Sequence, residues 1–306
     1  MARALIALAL ILLASLTPGQ AMACEVTERA QVRFAVGGGV PIVPLEVNGI
    51  QARFVLDTGA ERSVVTPAAV QRLGLVRDEW VATSMRGVGG VERNRNALPR
   101  SFSLGGVALE RRTVARDSSL TVAQIAPITP ADPVDGLLGR DFLAAFDIAV
   151  DDAARLIRLY DVRGCRGNFL PAADGYRPVP VTMPANTALV LPVVLDGVTM
   201  RALLDTGASA SLIAAPGMIR LGFPLDGPAR APGPGRTVAG LGPATVTVSD
   251  RRIGHMQVGP ATDADVTLLM APLHLVPAVD MLLGADWLRG RRIWLSFATR
   301  QVFLAD

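Results

Sequence analysis

The sequence contains no lysine, only two histidines and only two cysteines, and these shortages argue against several classes of protein. All of its positive charge comes from arginine, which is scattered along the chain and leaves a net charge of +3. Nucleic-acid-binding proteins concentrate basic residues on one face or stripe, so we expect no nucleic-acid partner. Neither His255 nor His274 has a ligand partner at zinc-site spacing, so we expect neither a metal site nor Ser-His chemistry.

The first 23 residues have the pattern of an export signal. Arg3 supplies a positive start, residues 4–16 form an apolar run, and residues 21–23 read Ala-Met-Ala, with small residues where signal peptidase cleaves. The apolar run is short for a membrane span. We therefore expect a signal peptide over residues 1–23 and a mature protein that is exported, periplasmic or extracellular.

Cleavage after residue 23 would make Cys24 the new N-terminus, which leaves two fates open for its sulfur. It could carry a lipid that holds the protein on a membrane, although Ala21 and Met22 differ from the residues typical of a lipoprotein signal. Alternatively, it forms a disulfide with Cys165, as an oxidising compartment favours. Such a bridge would close a loop of about 140 residues and contribute on the order of 4–5 kcal/mol on the chain-entropy model.

The most informative feature is a motif that occurs twice, FVLDTGA at residues 54–60 and ALLDTGA at residues 202–208. Residues 44–75 and 192–223 are identical at 12 of 32 positions, whereas unrelated segments would share about two. A second pair, DGLLGRDFL from Asp135 and DMLLGADWL from Asp280, repeats at nearly the same offset. The chain is therefore a tandem duplication: repeat one (24–162), a linker (163–184) and repeat two (185–306).

Each repeat has the pattern of a mainly β domain with one or two short helices. The dipeptides Asn48-Gly49 and Asp196-Gly197 are hairpin signals, and the strand that follows each ends at the Asp-Thr-Gly motif. Short helices are predicted at residues 67–73, 141–146, 216–221 and 286–289. Glycine-rich hairpins follow, and they suit either ordinary turns or mobile flaps over a cleft. The candidate flap residues are Gly87, Val88, Gly89 and Gly90 in repeat one and Gly240, Leu241 and Gly242 in repeat two.

This combination resembles the retropepsin-like aspartic proteases, including the exported bacterial ones. The resemblance rests on Asp-Thr-Gly-Ala after an apolar strand, a glycine-rich flap, and an apolar-apolar-Gly stop before a short helix. Retropepsins are usually homodimers in which each subunit supplies one catalytic Asp. The resemblance thus implies two β-barrel domains related by a pseudo-two-fold axis, in a monomer whose halves imitate that dimer. It also implies an aspartic endopeptidase that hydrolyses peptide or protein substrates.

Asp57 and Asp205 are the expected catalytic pair. Two carboxylates about 3 Å apart cannot both ionise, so they share a proton, as aspartic proteases are known to do. One can then activate a water while the other protonates the oxygen of the substrate, and this chemistry needs no metal or cofactor. The sequence leaves open which carboxylate takes which role. The residues expected to support the pair are Thr58, Gly59, Ala60, Thr206, Gly207 and Ala208.

The two alanines after the glycines predict a pH optimum less acidic than that of pepsin-like enzymes. A Ser or Thr hydroxyl at Ala60 or Ala208 could donate a hydrogen bond to the carboxylates and favour their ionisation. Neither repeat has such a hydroxyl, so the carboxyls should ionise at higher pH.

The repeats differ at two positions near the motif. Glu61 and Arg140 in repeat one are replaced by Ser209 and Ala285 in repeat two. Loss of both together suggests an ion pair between Glu61 and Arg140 that makes the two halves of the cleft differ. The alternative is two independent surface changes. The glycines that precede the two short helices, Gly139 and Gly284, are expected to be structural.

Two other functions remain compatible with the sequence. An exported peptide-binding or structural module could keep this fold without turnover, although the intact aspartates and glycines of both repeats favour an enzyme. The halves could also pair with those of another chain, which would give an oligomer with the same chemistry.

Overall fold

A computed structural model describes residues 23–110, 119–126, 133–170, 174–179, 181–182, 188–225 and 236–305. The predicted signal peptide lies outside the described residues except for Ala23. Within the described residues, no helix combines the length and the apolar character needed to cross a membrane.

Repeat one consists of short strands with two short helices between them. Its strands are β1 (Glu25–Arg33), β2 (Ala35–Gly37), β3 (Val40–Val47), β4 (Ile50–Leu56), β5 (Val64–Val65), β6 (Val76–Gly87), β7 (Gly90–Leu98), β8 (Phe102–Leu104), β9 (Val107–Ala108), β10 (Thr121–Val122), β11 (Gly136–Leu138), β12 (Asp147–Asp151) and β13 (Leu156–Arg163). Its helices are α1 (Pro67–Arg72) and α2 (Arg140–Leu143). The Thr66 hydroxyl caps α1 by accepting from Ala69 N.

The rest of the chain follows the same plan. Its strands are β14 (Tyr176–Val179), β15 (Val190–Leu195), β16 (Val198–Leu204), β17 (Leu212–Ile213), β18 (Arg236–Ala239), β19 (Thr245–Val258), β20 (Ala261–Met270), β21 (Met281–Leu283), β22 (Arg292–Ser296) and β23 (Gln301–Ala305). Its helices are α3 (Ala215–Arg220) and α4 (Ala285–Leu288).

The sheets of the two repeats place the Asp-Thr-Gly motif in the same way. In repeat one, β4 runs parallel to β11, which is antiparallel to β5. In repeat two, β16 runs parallel to β21, which is antiparallel to β17. In both repeats the strand that ends at the motif therefore pairs directly with the apolar-apolar-Gly strand of the same sheet.

A separate six-stranded sheet joins the two repeats in the order β1-β13-β12-β22-β23-β14. Its centre is the antiparallel pairing of β12 with β22, which sets Ala149 opposite Trp294. One hydrophobic cluster extends from this sheet into both repeats and includes Leu56, Leu204 and Leu295. The duplicated halves are therefore packed on each other within a single chain.

Part of the predicted linker (163–184) contributes a strand to this sheet. Within it, Tyr176–Val179 forms β14 and pairs with β23 at the edge. Pro178 is tolerated there because an edge strand has one side without ladder hydrogen bonds. The strand β1 (Glu25–Arg33) forms the opposite edge of this sheet.

The pairing of β1 with β13 also brings the two cysteines together. Glu25 lies opposite Arg163, so Cys24 and Cys165 face each other just beyond this end of the ladder. The structure joins them in a disulfide with a Cα–Cα distance of 4.2 Å. The Cys24 sulfur is thus in the disulfide, the alternative to lipidation.

Candidate active site

The two motif aspartates lie on loops that begin where β4 and β16 end. The amide of Asp57 donates to Leu138 O (3.0 Å) and the amide of Asp205 donates to Leu283 O (2.9 Å). These bonds fix the start of each loop to the neighbouring strand. The two loops lie opposite each other across the pseudo-two-fold axis between the repeats.

Thr58 and Thr206, both fully buried, lock the two loops to each other. The Thr58 amide donates to Thr206 Oγ1 (3.0 Å), and the Thr206 amide donates to Thr58 Oγ1 (3.1 Å). Each hydroxyl in turn donates across the axis, Thr58 to Leu204 O (2.8 Å) and Thr206 to Leu56 O. Each hydroxyl is therefore both donor and acceptor, so the loops are held by four reciprocal hydrogen bonds.

The motif glycines let each loop approach the carboxyl group of the other. A Cβ atom added to Gly59 would lie 2.2 Å from Cγ of Asp205, and one added to Gly207 would lie 2.4 Å from Cγ of Asp57. Both distances are far shorter than a van der Waals contact. Any side chain at these positions would force the loops apart. The glycines are thus required by the closeness of the two acids.

The two carboxyls influence each other directly: hydrogen bonding with Asp205 lowers the pKa of Asp57, and the charge of Asp57 raises the pKa of Asp205. Backbone amides hold one oxygen of each: Ala60 N donates to Asp57 Oδ1 (2.8 Å), and Gly207 N (2.9 Å) and Ala208 N (3.1 Å) donate to Asp205 Oδ1. A bond between two carboxyl groups requires a proton on one of them.

Burial and mutual repulsion decide where that proton lies. Burial raises the pKa of Asp205 to about 8, and the negative charge of Asp57 adds to the rise. Burial also raises the pKa of Asp57, but the Ala60 amide, the bond from Asp205 and the charge of Arg140 oppose that rise. Arg140 therefore favours ionisation of Asp57, and the pair shares one proton because two adjacent carboxyls cannot both ionise readily.

Arg140 is a buried residue, 1 % exposed, at the start of α2. Its Nη1 donates to the carbonyl oxygens of Thr58 and Gly59, each at 2.7 Å. Burial lowers the pKa of Arg140, and the charges of Asp57 and then Glu61 counter that effect. Arg140 thus supports the backbone behind Asp57. Because it is buried, its replacement in repeat two is not a surface change. Glu61 itself is exposed, and its ion pair with Arg140 stays a prediction.

A serine and an aspartate brace each loop, a role that the sequence reasoning missed. Asp141 accepts from Ser63 Oγ (2.7 Å), and Ser63 Oγ accepts from Gly139 N (2.8 Å). In repeat two the same bonds link Asp286 to Ser211 (2.7 Å) and Ser211 to Gly284 N (2.9 Å). The sequence did contain a signal for this role, because Ser63, Gly139 and Asp141 are identical to Ser211, Gly284 and Asp286 of the other repeat.

A second repeated pair ties the motif strand to the first helix of each half. Asp135 forms an ion pair with Arg72 (2.6 Å), and Asp280 forms one with Arg220 (3.0 Å). Both aspartates also accept from a backbone amide of the strand that leads to the motif, at 2.8 Å in each repeat. These repeated aspartates and arginines therefore have a structural role and are not part of the Asp57–Asp205 pair.

Comparison with known proteins decides the family. The model of the aspartyl protease family matches the chain twice, over residues 43–142 and 191–287. The chain belongs to the aspartyl protease family. Both matches contain an Asp-Thr-Gly motif and an apolar-apolar-Gly strand, so the two-repeat architecture expected from the sequence is confirmed.

A solved structure supports the fold of this aspartyl protease. The aspartic proteinase from Irpex lacteus superposes with a TM-score of 0.54 over 92 % of this chain and 97 % of that one, at 13 % sequence identity. At this identity the likeness concerns the fold alone, which is confirmed as mainly β with two domains. No curated protein matches the chain.

The candidate flaps of this aspartyl protease are hairpins that touch each other. The turn between β6 and β7 contains Val88 and Gly89, and Gly89 N donates to Leu241 O (2.9 Å) in the turn after β18. A Cβ on Gly89 would lie 2.6 Å from Gly242 O, and one on Gly87 would lie 2.6 Å from Leu241 Cβ. These glycines are thus required by close packing between the flaps. Of the other flap residues, Gly240 lies against Val88, and Gly90 has a positive φ of 119°.

Proposed function

We propose that this chain is an aspartic endopeptidase in which Asp57 and Asp205 act together on a water molecule. The observation that carries the proposal is the geometry of the two motif loops: Thr58 and Thr206 tie them to each other, and each motif glycine lies against the carboxyl of the opposite aspartate. A pair that shares one proton offers a base and an acid at the same point. A protein that only bound peptides would have no need of two acids held side by side.

The asymmetry of the pair supports separate roles for its members. Asp57, ionised and stabilised by the nearby charge of Arg140, takes a proton from the water. The resulting hydroxide attacks the carbonyl carbon of the peptide bond, and the proton of Asp205 passes to the carbonyl oxygen. The tetrahedral intermediate then breaks the C–N bond as Asp57 returns its proton to the amine, and the hydroxyl that received the Asp205 proton gives it back.

The proposed substrate is an extended peptide or protein segment that enters beneath the flaps. Since the flap tips are bonded through Gly89 and Leu241, we propose that they separate to admit it. The packing of both repeats in one chain supports action as a monomer. The disulfide between Cys24 and Cys165 supports export to a periplasmic or extracellular compartment, where such bonds persist.

The test replaces each acid singly, Asp57→Asn and Asp205→Asn, and measures cleavage of a peptide library by mass spectrometry. Each variant should lose at least about 10³-fold in kcat/KM, because neither acid can perform both proton transfers. Asp250→Asn is the matched control, an exposed carboxylate paired with Arg236, and it should cleave normally. If either single variant cleaves near the wild-type rate, the paired mechanism is wrong. Peptide binding by the wild type without products would indicate a binding module.

A further inference from the structure

The two candidate flaps have the same Gly-apolar-Gly tip, but the tips lie in different surroundings. The tips read Gly87-Val88-Gly89 in repeat one and Gly240-Leu241-Gly242 in repeat two. Leu241 is buried, with 8 % of its surface exposed, whereas Val88 is only half-buried. A Cβ added to Gly240 would lie 3.3 Å from Val88 Cβ, so Val88 lies over a residue that has no side chain. The same pattern thus gives two unequal tips.

The side chain of Leu241 packs into repeat one. It belongs to a small hydrophobic cluster whose other described members all come from repeat one: Val64, Met85 and Ala123, with Ile125 and Leu137 packed against them. Leu137 lies in β11, which pairs with the strand that ends at the Asp-Thr-Gly motif. The pocket that holds Leu241 is therefore built on the same sheet as the Asp57 loop.

Backbone hydrogen bonds hold the same tip against repeat one. Gly242 N donates to Gln124 O (3.2 Å), and Ala126 N donates to Gly240 O (3.1 Å). The two bonds form an antiparallel β-bridge around Leu241. The tip of repeat two thus pairs with repeat one as a short added strand does.

The tip of repeat one is bonded in turn to the tip of repeat two. Gly89 N donates to Leu241 O (2.9 Å), and Ala244 N donates to Gly89 O (3.1 Å). Leu241 therefore lies where the two flaps and residues 124–126 meet.

The corresponding hydrophobic cluster of repeat two is built differently. It includes Leu212, Ala271 and Leu282. In the part of the chain that the structure describes, every member of this cluster comes from repeat two itself. Within the described residues, the packing of a flap into the opposite repeat is therefore one-sided.

We propose that Leu241 is a latch that keeps the cleft closed and must leave its pocket before a substrate can enter. Moving a buried leucine side chain into water is unfavourable, so the pocket holds the tip of repeat two closed. Through the bond from Gly89, it holds the tip of repeat one as well. Leu241 is a positioning residue: it takes no part in proton transfer and sets how often the cleft opens. Its role in substrate entry rests on the proposed function, whereas the packing of the tip does not.

The first test measures hydrogen–deuterium exchange of the whole protein without substrate. Leu241→Ala removes most of the side chain that fills the pocket, so the amides of Gly242 and Ala126 should exchange about tenfold faster or more than in the wild type. The amide of Asp205, which donates to Leu283 O, reports on the rest of the fold and should exchange at the wild-type rate.

Two further variants serve as comparisons in this test. Val88→Ala, at the other tip, should speed exchange of the same two amides less than about threefold. Leu241→Met keeps an apolar side chain of similar volume, so its exchange rates should stay within about threefold of the wild type.

Three results of the exchange test would overturn the inference. The first is no acceleration in Leu241→Ala, and the second is an equal acceleration by Leu241→Ala and Val88→Ala. The third is a matching acceleration at Asp205, because Leu241 would then be an ordinary part of the core whose loss loosens the whole fold.

The second test rests on the proposed function and measures kcat and KM for one cleaved peptide. If the closed form excludes substrate, the apparent KM varies inversely with the fraction of open molecules, so Leu241→Ala should lower KM by up to about tenfold. Its kcat should change less than about threefold, because Leu241 takes no part in the proton transfers, and Leu241→Met should restore the wild-type KM to within about threefold. An unchanged KM in Leu241→Ala would mean that release does not limit entry, and a higher KM would mean that the tip holds the substrate. Either result would overturn the latch.

The two tests distinguish failure of the latch from failure of the proposed function. If even the wild type cleaves no peptide, the proposed function fails, and the exchange rates still decide whether Leu241 holds the tip. If the wild type cleaves but Leu241→Ala changes neither the exchange rates nor KM, the latch alone fails.

Discussion

The two catalytic loops are built from the same parts, yet their surroundings make them chemically different. Both have a buried threonine, a glycine pressed against the opposite carboxyl, and a serine braced by an aspartate. Only the first loop has an arginine behind it, Arg140, where the second has Ala285. Duplication thus supplied two equal acids, and the arginine behind the first loop makes their surroundings unequal because its charge favours ionisation of Asp57.

The largest expected effect comes from breaking what the loops share. Replacing Gly59 or Gly207 by alanine places a methyl group inside the opposing carboxyl, so the loops must separate. Each variant should lose all measurable cleavage and about 4 kcal/mol or more of unfolding free energy, as severe overpacking does. Equilibrium urea unfolding and peptide cleavage check this. The control is Gly49→Ala, at a turn where an added Cβ meets nothing within 4 Å. Its positive φ of 78° costs about 1–2 kcal/mol of unfolding free energy, but its activity should be kept.

The next effect comes from removing the part that the loops do not share. Arg140→Met leaves the carbonyls of Thr58 and Gly59 without donors in a buried site and should cost about 3 kcal/mol of unfolding free energy. It also removes a charge that lowers the pKa of Asp57, so the acid limb of the activity profile should move to higher pH. Arg289→Met, at the exposed position one turn later, should cost less than about 0.5 kcal/mol. Equal costs for both variants would mean that Arg140 is not an anchor.

The pH dependence follows from the raised pKa values of the pair. The pKa of Asp205 is about 8 against an ordinary 3.8, so between these values the folded protein binds a proton that the unfolded chain does not. From this group, stability should fall by up to about 1.4 kcal/mol per unit as the pH rises through that window. Asp205→Asn should flatten this slope in unfolding measurements at several pH values, and a slope unchanged by the substitution would contradict the assignment.

Activity depends on the same pair with limits at both ends. Cleavage should decline as the pH rises through about 8, where Asp205 loses its proton. It should also decline on acidification, at a pH above the ordinary range of an aspartate, because burial raises the pKa of Asp57. The optimum should therefore lie between these limits. A rate profile that peaks near pH 2 would contradict both the structure and the expectation drawn from Ala60 and Ala208.

The sequence predicted the parts of the molecule that local pattern and repetition encode. A strand was expected between each hairpin signal and the Asp-Thr-Gly motif, and these strands occur at Ile50–Leu56 and Val198–Leu204, because local sequence signals define them. The six-stranded sheet was not foreseen. Its central pairing joins β12 to β22, far apart in the chain, and a strand pattern does not name its partner. For the same reason, the strand pattern does not identify β14 within the predicted linker.

The site was predictable to a similar depth. Repetition identified Asp57 and Asp205, but not the direction of their asymmetry, because that depends on which charges the fold buries nearby. The ion pair of Arg140 with Glu61 was inferred from the loss of both residues in repeat two, and it stays a prediction. The sequence did not indicate that the Arg140 guanidinium donates to backbone carbonyls, because only the folded loop presents those acceptors.

The smallest expected effect sharpens the comparison without disturbing the loops. Ala60→Ser and Ala208→Ser each place a hydroxyl beside one carboxyl, where a donated hydrogen bond favours the ionised form. Because Asp57 is the base, Ala60→Ser should lower the acid limb of the activity profile by less than about one pH unit and leave the basic limb in place. Because Asp205 is the acid, Ala208→Ser should instead lower the basic limb. Profiles of kcat/KM against pH decide between the two roles. If both variants move the same limb, or if each moves the limb expected of the other, the assignment of base and acid is wrong. Neither result would contradict the pairing of the two aspartates.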